Sequence, residues 1–194
     1  MDAITKLLAE LVAIDSVNPD LVAGGAGEGQ IARFIAGWLS AAGLEVALDE
    51  VHPGRPNVVA RLRGTGGGRT LLLNGHIDTV GVAGMAEPHQ PRVAGGRMYG
   101  RGAYDMKCGV AACMAALAAL RGRGLRGDVI FTAVMDEEHA GLGTLDVAAR
   151  YRADAALIAE PTEYELVVAH KGYVWLEAEI QGAAAHGSIP GAPD

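Results

Sequence analysis

From residue 70 onward the chain alternates short apolar runs with helix-like segments, and this alternation leaves few folds open. TLLLN (70–74), DVIFTAVM (128–135) and ADAALIA (153–159) have strand composition, while residues 105–120 and 142–151 are rich in helix formers. That order predicts a helix-flanked α/β sheet through about residue 160. TLLLN is apolar almost throughout, as suits a central strand buried on both faces. Upstream, residues 2–15 read as an amphipathic helix with Ile4, Leu7, Leu8, Leu11 and Val12 on one stripe, broken by SVNPD. A glycine-rich link leads to a second helix, 28–42, stopped by Gly43. Two strands follow, 44–51 and 57–64, the second closed by GTGGG. Val80 to Gly102 is rich in Gly and Pro and shows no period, which predicts a long loop.

The 194 residues allow one domain, or one domain and part of another. Hydrophobic residues reach 50% and aromatics only 5%, so the core is expected to be Ala, Val, Leu and Ile. Sixteen basic against 23 acidic residues give −7, which argues against nucleic-acid or anionic-membrane partners. No apolar run approaches the roughly 18 residues of a membrane span. The N-terminus mixes charge into its helical period, with no basic start or cleavage site, so a cytoplasmic location is expected. Cys108 and Cys113 lie five apart on one predicted helix, pointing about 140° from each other, and read as free thiols.

Four clusters of acids or imidazole punctuate this frame. They are His76 and Asp78 in NGHIDT, Asp105 in GAYDMK, Glu137 and Glu138 in MDEEHAG, and Glu160 in AEPT. Three of them follow a predicted strand, where α/β sheets bind ligands. Taken singly, each has a plainer reading: a structural His–Asp pair, a helix cap, solvated glutamates. Together they offer what a hydrolytic two-metal centre needs. Asp78, two residues beyond His76 in extended chain, lies on the same side and could hold the imidazole. Asp105 suits a bridge. Adjacent Glu137 and Glu138 point different ways, so one can bind metal while the other serves as general base. Imidazole and carboxylate without thiolate suit zinc, with manganese or cobalt as alternatives.

In order and spacing, NGHIDT, YGRGAYDMKCG, DEEHAGLGT and AEPT resemble the successive motifs of the co-catalytic zinc aminoacylase and carboxypeptidase family. That family includes acetylornithine deacetylase, succinyl-diaminopimelate desuccinylase and glutamate carboxypeptidase. The resemblance runs the length of the chain and implies a mixed, mainly parallel sheet in a catalytic domain over 1–173. Residues 174–194 would begin an α+β lid or dimerisation domain. It implies two Zn2+ ions, held by His76, Asp105 as bridge, Glu138 and Glu160, with Asp78 orienting His76 and Glu137 as general base. His186, in AAAHGSIP, would reach across a homodimer to the substrate or the developing oxyanion. The substrates implied are small N-acyl amino acids or short peptides, an aminopeptidase of related two-zinc type being the alternative within enzymes.

Two departures from the family pattern stand out. Cys108 replaces the usual glycine after the DMK lysine, and the family's final histidine ligand, carried by a C-terminal segment, is not reached before Asp194. The sequence therefore reads as an N-terminal portion, expected to turn over poorly by itself, with a non-catalytic metal-binding module as the competing reading. His52 and His89 read as surface residues, His139 matches no ligand position, His170 is left unassigned, and Arg101 could orient the loop before Asp105.

Overall fold

The computed structural model describes residues 1–169 together with 172, 174 and 176. Met1–Glu163 form one compact unit and Tyr164–Asp194 a second. Helix α1 (Ala3–Val12) begins where the Asp2 carboxylate accepts the Thr5 N–H at 2.8 Å, and it buries Leu7, Leu11 and Val12. Helix α2 (Gly29–Ala41) buries Ile31, Ala32, Ile35 and Leu39. It ends in a Schellman arrangement: Gly43 takes φ +79, its N–H bonds to Ser40 O, and the Leu44 N–H bonds to Leu39 O.

Strands β1 (Glu45–His52) and β2 (Arg55–Leu62) form an antiparallel hairpin. β3 (Leu71–His76) is followed by the short pair β4 (Arg92–Ala94) and β5 (Arg97–Tyr99), then by helix α3 (Lys107–Leu120). β6 (Val129–Val134), helix α4 (Leu142–Arg150) and β7 (Ala155–Ile158) complete the first unit. The main sheet has the order β1-β2-β6-β3-β7, with β2 antiparallel to β6 and with β3 parallel to both β6 and β7. The expected mixed, helix-flanked sheet is therefore present, with TLLLN inside it between β6 and β7.

Register explains the core. Ala60 pairs with Phe131, and Phe131 with Leu73, so these side chains share the face that α1, α2 and α3 cover. Helix α4 packs on the opposite face, beside Leu72 and Asn74. The chain thus leaves β3 toward one face and β6 toward the other. Between the carboxyl ends of these neighbouring strands opens the crevice of a topological switch point.

Two expectations need correction. The stretch from Val80 to Gly102 holds the β4–β5 hairpin, closed by Gly95 and Gly96, both at positive φ as a type I′ turn requires. Three-residue strands are too short to show a period, and the Gly-Gly pair was their only local signal. ELVVA (165–169), whose composition predicts a strand, is neither helix nor strand; Leu166 and Val168 are each 89% exposed, so they lack the buried face that favours a strand. His170, His186 and most of residues 173–182 lie outside the described residues.

Candidate metal centre

His76 ends β3 and is buried. Its Nδ1 lies 3.0 Å from the backbone carbonyl oxygen of Asp78. A carbonyl can only accept, so Nδ1 carries the proton and Nε2 is the nitrogen turned to the crevice. Around Nε2 stand Asp105 Oδ1 at 3.0 Å, Glu137 Oε2 at 3.7 Å and Glu160 Oε1 at 3.7 Å. Two groups bring one ligand atom per residue within 4.8 Å of one another: His76, Asp105 and Glu138, and His76, Glu137 and Glu160. Residues from four separate segments thus meet at one imidazole.

Asp105 stands just before α3 without capping it; the cap position is Met106, and the Asp105 carboxylate is turned to His76 instead. The Asp78 carboxylate is farther from the imidazole than its own carbonyl, at 3.4 Å. Its nearest donors are elsewhere: the Glu137 N–H at 3.0 Å, the Glu138 N–H at 3.1 Å and the Asn18 side-chain amide at 2.8 Å. Asp78 therefore fastens the Glu137–Glu138 segment to the end of β3.

The electrostatics are those of crowded acids. Burial disfavours a charged His76, but hydrogen bonds to Asp105 and Asp78 and the charge of Glu160 outweigh it and push its pKa up to about 11. Burial, followed by repulsion from its acidic neighbours, raises Glu160 to about 7 despite His76. Burial also lifts Glu137 and Glu138. Asp78 goes the other way: burial opposes its charge, yet His76, Asn18 and the Glu137 N–H hold its carboxyl below the usual range. Several carboxylates converging on one imidazole nitrogen are a donor set for a divalent cation. All of these donors are oxygen or nitrogen, and the nearby Cys108 Sγ bonds to the Tyr104 carbonyl.

Behind this centre lies a buried network that the motifs do not announce. The Arg55 guanidinium forks onto Glu28 with bonds of 2.6 and 2.7 Å and also meets Asp20 and Asp136. Asp136 sits in the left-handed region at φ +64 and accepts the Asn18 amide. Lys107 is fully buried; its Nζ donates to Leu11 O and Ile14 O, tying the start of α3 to the end of α1, and burial lowers its pKa to about 7. Asn18, Glu28 and Arg55 lie 58, 48 and 21 residues before His76, too far for a local pattern to link them. The one clue was SVNPD, read only as a helix breaker.

The remaining candidates fall outside the centre. Asp20, Asp136 and His139 form a third group with ligand spacing, but Arg55 bonds to both aspartates and already supplies the positive charge. His52 is exposed, whereas His89 is partly buried with Nε2 3.5 Å from Asp15. The Arg101 N–H bonds to Pro88 O, while its side-chain Nε is buried without a partner. Cys108 and Cys113 are both free, as expected.

Residues 72–186 match the model of peptidase family M20/M25/M40. Over 145 residues the chain is 36% identical to an N-formyl-4-amino-5-aminomethyl-2-methylpyrimidine deformylase of Bacillus subtilis, covering 70% of this chain and 34% of that protein. It is 30% identical over 186 residues to an acetylornithine deacetylase of Aliivibrio fischeri, covering 93% of this chain and 49% of that one. The chain thus spans between a third and a half of the length of these relatives. An M20 family metallo-carboxypeptidase from Sulfolobus solfataricus shares the fold, with a TM-score of 0.70 at 23% identity over 82% of this chain and 37% of that one. The matched span contains every residue gathered around His76, and the chain belongs to peptidase family M20/M25/M40.

Proposed function

We propose that this chain is the metal-binding portion of a hydrolase that cleaves the amide bond of small N-acyl amino acids or short peptides. The observation that carries the reading is the convergence of Asp105, Glu137 and Glu160 on His76 Nε2, with Glu138 beside them. His76, Asp105, Glu138 and Glu160 would hold two zinc ions, with cobalt or manganese as substitutes, and Asp105 would be shared. Bound there, the ions would supply an acidified water and a Lewis acid for the substrate carbonyl.

The chain's own residues do the rest. Asp78 O keeps a proton on His76 Nδ1, so Nε2 is the nitrogen that can bind metal once its own proton is released. The Asp78 carboxylate fixes the backbone of Glu137 and Glu138. Glu137 is half-exposed, with a carboxyl raised by burial, which suits a group that takes a proton from water and delivers it to the leaving amine. The relatives named deformylase, deacetylase and carboxypeptidase support a linear amide as substrate class without choosing among them.

The complete protein would act as a cytoplasmic homodimer, with His186 contributed across the interface. The two free thiols accord with that location, and among the described residues no helix is long and apolar enough to cross a membrane. Elemental analysis of the purified chain tests the metal centre: two zincs per chain are expected, lost in His76→Ala. On the complete protein, N-acetylornithine, N-succinyl-diaminopimelate and unblocked dipeptides assayed side by side distinguish deacylase from peptidase. One metal or none, together with no turnover of any substrate, refutes the proposal and leaves a metal-binding module.

A further inference from the structure

Asn18 joins the buried network to the metal centre. It is fully buried, and all four hydrogen-bonding positions of its side chain are used. Nδ2 donates to Asp78 Oδ2 at 2.8 Å and to Asp136 Oδ1 at 3.0 Å; Oδ1 accepts the Asp20 N–H at 2.9 Å and Arg55 Nη2 at 3.2 Å. The amide orientation is thereby set by chemistry, since the nitrogen faces two acceptors and the oxygen two donors. The backbone is fixed as well: the Asn18 N–H bonds to Thr79 O, and Val17 pairs with Thr79 as an isolated parallel bridge.

The two carboxylates that share this amide govern the same turn from opposite sides. Asp78 holds the N–H groups of Glu137 and Glu138. Asp136 precedes those residues and closes the turn, its carboxylate accepting the Leu142 N–H at 3.4 Å and its backbone oxygen the Gly141 N–H at 2.6 Å. Without a donor between them, two buried carboxylates would repel each other across the base of the turn. The residues nearest in shape or chemistry do not reproduce these four bonds. Asp has the shape and no donor, Leu has the volume and no polarity, and Gln is one methylene too long.

We propose that Asn18 is a positioning residue for the metal centre: its amide clamps the Asp78 and Asp136 carboxylates together and so holds the Glu137–Glu138 turn against His76. This rests on the metal-hydrolase reading for its purpose, but the clamp itself can be observed without metal.

The test uses two readouts on the chain and its Asn18→Leu and Asn18→Asp variants. The first is amide hydrogen exchange at Glu137 and Glu138 in metal-free protein. The second is Co2+ affinity, followed by the visible absorption of the bound ion. The clamp requires Asn18→Leu to speed exchange at both amides about tenfold or more relative to the β6 core amides. It also requires a loss of about tenfold or more in Co2+ affinity, the usual scale for partners of ligand-supporting groups. Asn18→Asp separates positioning from simple charge, because one more carboxylate near a cation would by itself tighten binding, whereas a broken clamp weakens it. If Asn18→Leu does not fold, Asn18→Ser, with its single donor, is read in the same way. Unchanged exchange at Glu137 and Glu138 in a folded variant overturns the proposal. Should the parent chain bind no Co2+, the metal-centre reading fails on that count, and the exchange measurement alone decides the clamp.

Discussion

Arg55→Met tests whether the network behind the centre stabilises the fold. Arg55 is buried, and its fork onto the fully buried Glu28 is made of two bonds at 2.6 and 2.7 Å. Met matches the aliphatic stem and removes the charge. Glu28 then keeps only the Asp136 N–H at 3.1 Å and becomes an unpaired buried carboxylate. Two charge-assisted bonds at about 1.5–3 kcal/mol each, and the roughly 3–5 kcal/mol known for breaking a buried pair from one side, agree on a loss of about 4 kcal/mol. The contact with Asp20 adds little, because that carboxylate is 46% exposed. For a chain of this size the loss corresponds to a melting temperature lower by about 8–16 °C. Thermal unfolding followed by circular dichroism measures it, and Glu28→Gln in the Arg55→Met background should recover much of the loss by removing the stranded charge. A drop under about 1 kcal/mol for Arg55→Met would show that the network is a solvated arrangement and refute the reasoning.

Metal uptake should depend on pH with a definite sign. His76 is protonated below about 11 and Glu160 below about 7, so binding a cation must release protons and affinity should rise with pH, most steeply below about 7. Calorimetry in buffers of different ionisation enthalpy counts those protons, and a pH-independent affinity would contradict the site. In metal-free protein the raised Glu160 pKa adds stability below about 4.5 that is lost as pH rises through about 7, so Glu160→Gln should gain melting temperature relative to the parent across that window. Gly109→Ala should destabilise by about 1–2 kcal/mol even though Ala favours helix by nearly 1 kcal/mol, because the new Cβ would lie 2.2 Å from Ala159 O. The same shift moves Glu160 and should weaken Co2+ binding several-fold; a more stable variant would show that the β7 end yields freely. Glu137→Gln should keep the bound metal of the complete protein while lowering turnover by about 10²-fold or more, and equal losses of both would make Glu137 a ligand instead.

The parts of this structure legible in sequence are those whose cause is local. Uninterrupted apolar runs marked β3 and β6, and a five-position apolar stripe marked α1. Gly43 marked the end of α2, because few other residues accept its positive φ. Acids and imidazole at strand ends named the residues that gather at His76. What stayed hidden depends on pairing across the chain. Nothing near Asn18 reveals that it faces Asp78 and Asp136, 60 and 118 positions away. Arg55 falls between the two predicted strands, and nothing in its neighbourhood signals that the fold places Glu28 beside it. The further partners of the Asp78 carboxylate were likewise hidden, since spacing pairs it with His76 and only the sheet order brings it to the Glu137 and Glu138 N–H groups.

The placement of β3 between β6 and β7 also sets a timetable for cation capture. A growing polypeptide that has released only its first 150 residues can present His76, Asp105, Glu137 and Glu138, yet the strand leading to Glu160 has still to dock along the open side of β3. The site can be complete only once β7 has paired with β3. Loading with ion should accordingly wait until β7 has emerged and docked, and a truncation before Ala155 should fail to retain the ion however well its earlier strands assemble.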